Sequence, residues 1–416
     1  MKNKWLLLIL VIFIILIVFG PLFYKHRFFF IESNDITNNI DNIKKHYNDY
    51  VITNKEAVLF KKNNDQYIES GKVNKGVFLN LQDVVVNSNT EYFLIKGLNM
   101  YISYKNVDPI ETFQINDRYK NYINFNNNIT TQQITTFYDE FDNYVYTINQ
   151  SFDFKVIVMK NDKYGIEYNN QLLYIHSDNV EKIYDNDNST SNKEKVRTLT
   201  YHFIYNPETT YCNQSICQSF EQFEAHLKYI RENNYFTLKL NELEMYLNGE
   251  INIPDKSIVL TIDDGTIFDI DAIKLLEQYQ VNATMFVITN ISDNFDYLKS
   301  DYLDLESHTN NMHNQYECPG YGSQGGGILC LDEDKVLEDL KISQDKLGGS
   351  TYFAYPFFDF NDRAISLLKK AGFKLAFIGQ YNTDGYSYPN KTDKYKVPRK
   401  TIFSTTTMEE FIGYLE

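Results

Sequence analysis

The chain has 416 residues, a formal net charge of −15, 43% hydrophobic and 23% charged residues. At roughly 100–200 residues per domain this length implies two or three domains. The acidic balance excludes the basic stripe that binds nucleic-acid backbones. Apolar residues outside the N-terminus are scattered, which excludes a multi-pass membrane protein.

From Trp5 to Phe23 the sequence is an uncharged apolar run, long enough at about 1.5 Å per residue to cross a hydrocarbon core of about 30 Å. Pro21, Tyr24, His26 and Phe28 stand where a cleavage site would need small residues, so an uncleaved transmembrane signal anchor is expected at 5–24 rather than a removed leader. Lys2 and Lys4 are balanced by Lys25 and Arg27, and the positive-inside count leaves orientation open. Residues 25–48, rich in Asn, Asp and Lys, read as a stalk.

Short alternating runs come next, Tyr50 to Phe60, Gly76 to Val86 and Glu91 to Ser103, separated by Asn, Gly and Ser. Period-two alternation between turn residues predicts an all-β module over 49–112. Asn143 to Val158 and Tyr164 to Ile175 predict a second over 120–184. Tyr101, Ile102, Asn106, Val107 and Ile110 recur as Tyr174, Ile175, Asn179, Val180 and Ile183, each offset by 73 residues, as two copies of one module would. The closing pattern, Tyr-Ile and then a turn into Asn-Val, resembles bacterial Src-homology-3-like modules that accompany wall enzymes; generic β spacers fit it equally. Residues 185–195, DNDNSTSNKEK, are polar and aperiodic and read as a linker.

Strand and helix then alternate. Arg197 to Tyr205, Lys256 to Ile262, Ala283 to Thr289, Thr351 to Ala354 and Lys374 to Ile378 read as strands. Helices are expected from Ser219, over Asp269 to Tyr279, over Asp334 to Leu347, and over Asp362 to Lys370 with Gly372 closing the last. Such alternation implies an α/β domain over 196–416, with parallel strands and a site at their C-terminal ends. Cys212, Cys217, Cys318 and Cys330 allow three disulfide connectivities, or free thiols. The insert Asn314 to Leu331, with Gly325-Gly326-Gly327, reads as a surface loop, either shaping access to a site or merely closed on itself.

Asp263 and Asp264 end the strand that begins near Lys256 and precede Gly265. Adjacent buried carboxylates repel and lose hydration, so a metal or a proton task is needed to offset them; Asp-Asp-Gly is also an ordinary turn. Further on lie His308 and His313. Five residues apart is about 140° of helical rotation, and an odd spacing on a strand faces opposite sides, so only a loop or distorted turn unites both imidazoles. Two histidines after a strand-end Asp-Asp-Gly indicate a two-His, one-Asp site for a divalent metal, zinc by its preference for such donors.

Four ordered segments carry a family resemblance: Val259 to Gly265; Asn282 to Val287; His308-Thr309 with His313; and Phe353 to Phe357. They resemble the motifs of polysaccharide deacetylases, carbohydrate esterase family 4 with NodB homology, over about 196–416. The resemblance implies a distorted (β/α) barrel that removes acetyl groups from N-acetylated sugars of surface glycans. It implies Asp263 as general base and Asp264, His308 and His313 as metal ligands. Ile262 stands where the family usually has Phe, and no histidine comes after His313. Leu199 to Ile204 resembles the Tyr-His opening of the branch acting on poly-N-acetylglucosamine, which makes His202 the expected acid, or else a strand histidine. The Arg usual before the Pro motif is absent; Arg399 is the candidate to orient Asp263. A backbone N–H near Tyr355 is the expected oxyanion donor. The expected function is N-deacetylation of poly-N-acetylglucosamine or peptidoglycan outside the cell membrane, the β modules touching the cell wall. The rival is a silent glycan-binding protein on the same barrel, against which the full Asp, Asp, His, His set argues.

Overall fold

The structure is a computed structural model and describes residues 47, 50–87, 90–110, 117–185, 193–265, 270–320, 322–379 and 383–416. The expected anchor, the stalk apart from Tyr47, and residues 186–192 of the expected linker lie outside the described residues. Among the described residues no helix is long and apolar enough to cross a membrane. The chain divides into two units, 1–114 and 115–416.

The first unit is built on strands β1 (Tyr50–Thr53), β2 (Ala57–Asn63), β3 (Gln66–Val73), β4 (Phe78–Asn87), β5 (Thr90–Ile95), β6 (Met100–Ser103) and β7 (Val107–Pro109). They pair antiparallel in the order β3-β2-β6-β5-β4-β1-β7. Period-two alternation buries Val51, Leu59, Phe93, Ile95 and Ile102 on one side.

The second unit opens with β8 (Asn127–Thr131), β9 (Thr135–Tyr138), β10 (Tyr144–Ile148), β11 (Asp153–Lys155), β12 (Val158–Lys160), β13 (Lys163–Tyr168), β14 (Gln171–His176) and β15 (Val180–Asp185). These form two small sheets, β12-β13-β14-β9-β10 and β11-β8-β15. The 73-residue repeat has a structural counterpart: β6 runs through a 3-10 turn at Tyr104–Asn106 into β7, and β14 through one at Ser177–Asn179 into β15. Strands β8 to β15 share a core with the α/β part of the chain. Tyr119, Val158 and Tyr174 pack in one cluster with Leu243, Tyr246 and Ile251, and Ile123 and Val158 make isolated bridges to Asn252 and Ile251.

The α/β part holds β16 (Val196–Tyr201), β17 (Ile204–Tyr205), β18 (Gln218–Ser219), α1 (Phe220–Glu232), β19 (Phe236–Thr237), α2 (Leu240–Leu247), β20 (Ser257–Asp264), α3 (Ile270–Tyr279), β21 (Ala283–Val287), β22 (Leu303–Ser307), β23 (Tyr316–Cys318), β24 (Gly322–Gly325), α4 (Glu333–Lys346), β25 (Tyr352–Ala354), α5 (Asp362–Lys370), β26 (Leu375–Phe377), β27 (Tyr386–Ser387), β28 (Lys400–Thr401) and α6 (Met408–Leu415). The main sheet runs β26-β25-β22-β21-β20-β16-β27, parallel except at β27. Val397 bridges Phe377 of the far edge while β28 pairs with β16, so segment 397–401 closes the sheet into an irregular barrel. Buried on both faces, β20 reads as a continuous apolar run that ends in its two acids.

Helix α1 starts where Ser219 and Gln222 form a reciprocal capping box, and it buries Phe223, His226, Leu227 and Ile230. His226, 3% exposed, stacks on Phe411 at 3.8 Å and pairs through Nδ1 with the Tyr201 hydroxyl at 3.1 Å. Burial lowers its pKa to about 4. The unfolded chain therefore binds a proton that the folded one refuses between pH 6.5 and 4, and stability falls as pH drops through that window, by up to about 3 kcal/mol. His226→Gln should flatten that part of a stability–pH profile measured by denaturant unfolding; an unchanged slope would assign the acid sensitivity to another group.

The insert differs from its expected form. Strands β23 and β24 pair antiparallel and Cys318 is bonded to Cys330, but the end of the insert is core: Gly327, Ile328 and Leu329 form a buried 3-10 turn. Glycine is required there because a Cβ on Gly327 would come within 2.8 Å of Tyr316 and Leu331. The other disulfide joins Cys212 to Cys217.

Candidate active site

Two clusters meet at the Asp263-Asp264 dipeptide. In the first, the guanidinium of Arg399, 0% exposed, grips Asp263 through both arms: Nη1 donates to Oδ1 at 2.6 Å and Nη2 to Oδ2 at 2.8 Å. Nη1 also lies 3.3 Å from the Thr261 hydroxyl, and Nε donates to the Ile378 carbonyl at 3.2 Å. His202 completes this cluster, its Nε2 3.9 Å from Asp263 Oδ2. Its Nδ1 is buried with no hydrogen-bond partner, and its ring meets the edge of Phe358 at 6.0 Å. Burial alone would raise the Asp263 pKa; Arg399, with His308 and His202, overrides it and holds the carboxyl at about 2.

The second cluster is Asp264, His308 and His313, whose ligand-type atoms all lie within 4.8 Å of one another. Asp264 Oδ1 is 3.3 Å from His313 Nε2 and 3.6 Å from His308 Nε2. The Nδ1 of His308 is tied to the Ala354 carbonyl at 2.8 Å, which fixes the tautomer and aims Nε2 at Asp264. Burial pushes Asp264 up to about 6, with Asp263 adding to the rise and His202 opposing it; burial takes His308 down to about 3 and lowers His313. Asp264 Oδ1 is buried and has no hydrogen-bond donor. A donorless buried carboxylate facing two imidazole nitrogens fits a divalent cation, which would supply the missing positive charge.

Backbone geometry explains how neighbouring residues reach one place. Along β20, Val259, Thr261 and Asp263 share the inner face. Asp264 should face away, but it leaves the strand with φ 76°, with Gly265 next at φ 66°, so the turn begins one residue before the glycine that the sequence suggested. Gly265 must also stay bare, since a Cβ would lie 3.0 Å from the Val287 methyls. His308 comes directly after β22, and Thr309 at φ 73° folds the chain back, bringing the two imidazole centroids to 4.8 Å.

The geometry thus brings together His202, Asp263 and Arg399, and Asp264, His308 and His313. Of the backbone N–H groups near Tyr355, that of Tyr355 itself donates to the Phe377 carbonyl at 3.1 Å and belongs to the sheet. Several partners do not stand out in the sequence. Phe357 and Phe358, consecutive at φ 57° and 63°, place one ring 4.6 Å from His313 and the other beside His202 and Arg399. The aromatic pair after Pro356 is the available signal. Ala354 acts through its carbonyl, which leaves no trace in residue type.

Residues 250–376 match the family model described as polysaccharide deacetylase. That span contains Asp263, Asp264, His308 and His313; His202 and Arg399 lie outside it. The poly-beta-1,6-N-acetyl-D-glucosamine N-deacetylase of Staphylococcus aureus strain MRSA252 is 28% identical over 236 residues, 51% of this chain and 77% of that protein. Among solved structures, a de-N-acetylase from Aggregatibacter actinomycetemcomitans aligns with TM-score 0.46 and 19% identity over 53% of this chain and 100% of its own. IcaB from Ammonifex degensii aligns with TM-score 0.44 and 20% identity over 53% and 96%. Since the matched span includes both strand-end carboxylates and both imidazoles that face them, this chain carries a polysaccharide deacetylase domain.

Proposed function

We propose that the chain is a metal-dependent hydrolase that removes N-acetyl groups from N-acetylglucosamine units of an extracellular polysaccharide, poly-N-acetylglucosamine or peptidoglycan, while residues 5–24 hold it on the membrane. The observation that carries this reading is the meeting of an Arg-clamped carboxylate and a buried histidine with a two-His, one-Asp cluster on adjacent residues. The name of the staphylococcal relative favours the β-1,6 polymer.

Asp264, His308 and His313 would hold a divalent cation, zinc by its donor preference, which would supply Lewis acidity to the acetamide carbonyl and to water. Asp263 is the proton acceptor. The Arg399 fork keeps it ionised and fixes the orientation of its carboxylate plane, at the expense of basicity. His202 is placed to hold a proton at Nε2, near Asp263, and to deliver it to the departing sugar amine, which would otherwise leave as an amide anion.

The test is acetate release by the full-length protein in detergent, from β-1,6-linked N-acetylglucosamine oligomers and from peptidoglycan fragments. Release should stop with a chelator, return with zinc, and fall by roughly 10²–10⁴-fold in Asp263→Asn. No release from either substrate, or release indifferent to Asp263→Asn, would sink the enzyme reading.

A further inference from the structure

The loop that carries the two imidazoles is short, strained at Thr309 (φ 73° on a β-branched residue), and held from outside by one helix. Its backbone donors from His308 to Met312 are engaged. The His308 N–H reaches the Val287 carbonyl at 2.9 Å and the Thr309 N–H the Ser307 hydroxyl at 3.2 Å. The Asn310 and Asn311 N–H groups donate to the two carboxylate oxygens of Asp339, at 2.8 and 2.7 Å, and the Met312 N–H to the Thr309 hydroxyl at 3.2 Å. One side chain on α4 therefore captures two successive amides midway between His308 and His313. A turn further along the same helix, Ser343 Oγ lies 2.8 Å from Ser307 Oγ, the group that receives the Thr309 N–H. Another turn on, Lys346 Nζ donates to the carbonyls of Thr289 at 2.8 Å and Ser292 at 3.2 Å, and Thr289 in turn donates its N–H to the Thr309 carbonyl at 3.0 Å.

Asp339, Ser343 and Lys346 are spaced i, i+4 and i+7, one stripe of the helix. We infer that this polar stripe of α4 is the positioning element of the metal-type cluster, with Asp339 setting the separation of His308 and His313 and so the affinity of the site for a divalent cation. The inference rests on the metal-site reading under Proposed function. A β-branched residue in the left-handed region persists only where its surroundings over-determine it; here Thr289 and Asn290 donate their N–H groups to the Thr309 and Asn310 carbonyls at 3.0 and 3.1 Å, and the bidentate capture by Asp339 is the restraint on the two amides that follow Thr309. Without it Thr309 can relax to negative φ, which swings His313 away from His308 while His308 itself, held by Ala354 and Val287, stays in place. Partners that orient ligands typically contribute 10–100-fold to metal affinity when they act on a ligand directly.

The experiment measures zinc affinity of the full-length apo protein by competition with a chromophoric chelator, alongside the visible spectrum of the cobalt-loaded protein and the melting temperature of the apo form. Wild type should bind one zinc; if it binds none, the metal-site reading fails and this inference with it. Given wild-type binding, Asp339→Ala should weaken zinc affinity by about 10–100-fold and alter the cobalt bands. Asp339→Asn, isosteric but with one acceptor oxygen in place of two, should fall between. Asp339→Glu, which keeps both acceptors, should recover affinity better than Asn. Should Asp339→Ala not fold, the isosteric Asn variant decides. Wild-type affinity and an unchanged cobalt spectrum in folded Asp339→Asn would overturn the proposal, as would weakening only in proportion to loss of the folded apo form.

Discussion

Arg399→Met is expected to reduce stability sharply and to reduce turnover about as much as the loss of the Asp263 carboxylate itself. Its guanidinium is fully buried and makes two hydrogen bonds to an equally buried carboxylate. Breaking such a pair from one side leaves an uncompensated charge and costs about 3–5 kcal/mol, which for a domain of this size is a drop in melting temperature of roughly 10 °C. The pH dependence should change sign. In wild type the Asp263 pKa lies below its ordinary value, so its contribution to stability is complete above pH 4 and is lost as pH falls toward 2. Without Arg399, burial, the largest influence on this group, acts unopposed by its main counter-charge, and the carboxyl is raised. The apo variant should then gain stability relative to wild type as pH is lowered from 7 to 4. A carboxyl that is unclamped and raised toward its neutral form is a misplaced and depleted proton acceptor, so acetate release at pH 7 should fall toward the roughly 10²–10⁴-fold loss expected of Asp263→Asn. Arg399→Lys, with a charge but no fork, should lie between. Wild-type melting and turnover in Arg399→Met would show that Asp263 needs no partner and would remove Arg399 from the site.

Legibility in the sequence depends on which interactions are local. The helix over Asp362 to Lys370 is legible to the residue because Asn361 caps it and Gly372 at φ 86° ends it. Strand β20 is legible because an apolar run of that length between turn signals has few alternatives. The ends of elements carry the site, and Asp263, Asp264, His308 and His313 are visible as chemically costly residues at such ends. Helices α2 and α6 are not legible: each is eight residues long, too short to impose a period. The Asp264 backbone is hidden because a left-handed aspartate beside a glycine is indistinguishable in sequence from a glycine turn. Asp339 is hidden for a different reason. Its partners are backbone amides about 28 residues away, and an acid on an acidic helix gives no sign of facing inward, although the i, i+4, i+7 run of Asp339, Ser343 and Lys346 beside Val336 and Leu340 is there to be noticed.

The boundary near residue 190 has a consequence for any truncated enzyme. A fragment of residues 193–416 is expected to be much less stable than one of residues 115–416, although every residue placed in the two clusters is present in both. The segment removed supplies Arg118, whose Nε donates to Glu242 Oε1 at 2.8 Å and whose Nη2 reaches Glu242 Oε2. It also supplies Tyr122, whose hydroxyl donates to Glu242 Oε1 at 3.0 Å. Glu242 is 2% exposed and also accepts the Lys239 N–H at 2.8 Å, at the start of α2. Removing the cation uncovers a carboxylate built for burial, and removing Tyr119, Val158 and Tyr174 strips one wall from the cluster that contains Tyr246, Ile251 and Phe286. Exposed, Glu242 recovers hydration; left buried, it costs several kcal/mol. Both routes disturb α2 and the inner face of the barrel. Thermal unfolding of the two fragments should differ by more than about 10 °C, or the shorter one should aggregate. Adding Glu242→Gln to the shorter fragment should recover part of the loss, because a neutral amide needs no counter-ion, while leaving the packing deficit. Identical melting of the two fragments would mean that residues 115–192 are carried by the barrel without supporting it. If they differ as expected, low activity in a fragment cut near residue 190 reports a damaged wall of the barrel, not a fault in Asp263 or His202, and the second set of β strands is part of the catalytic unit's architecture.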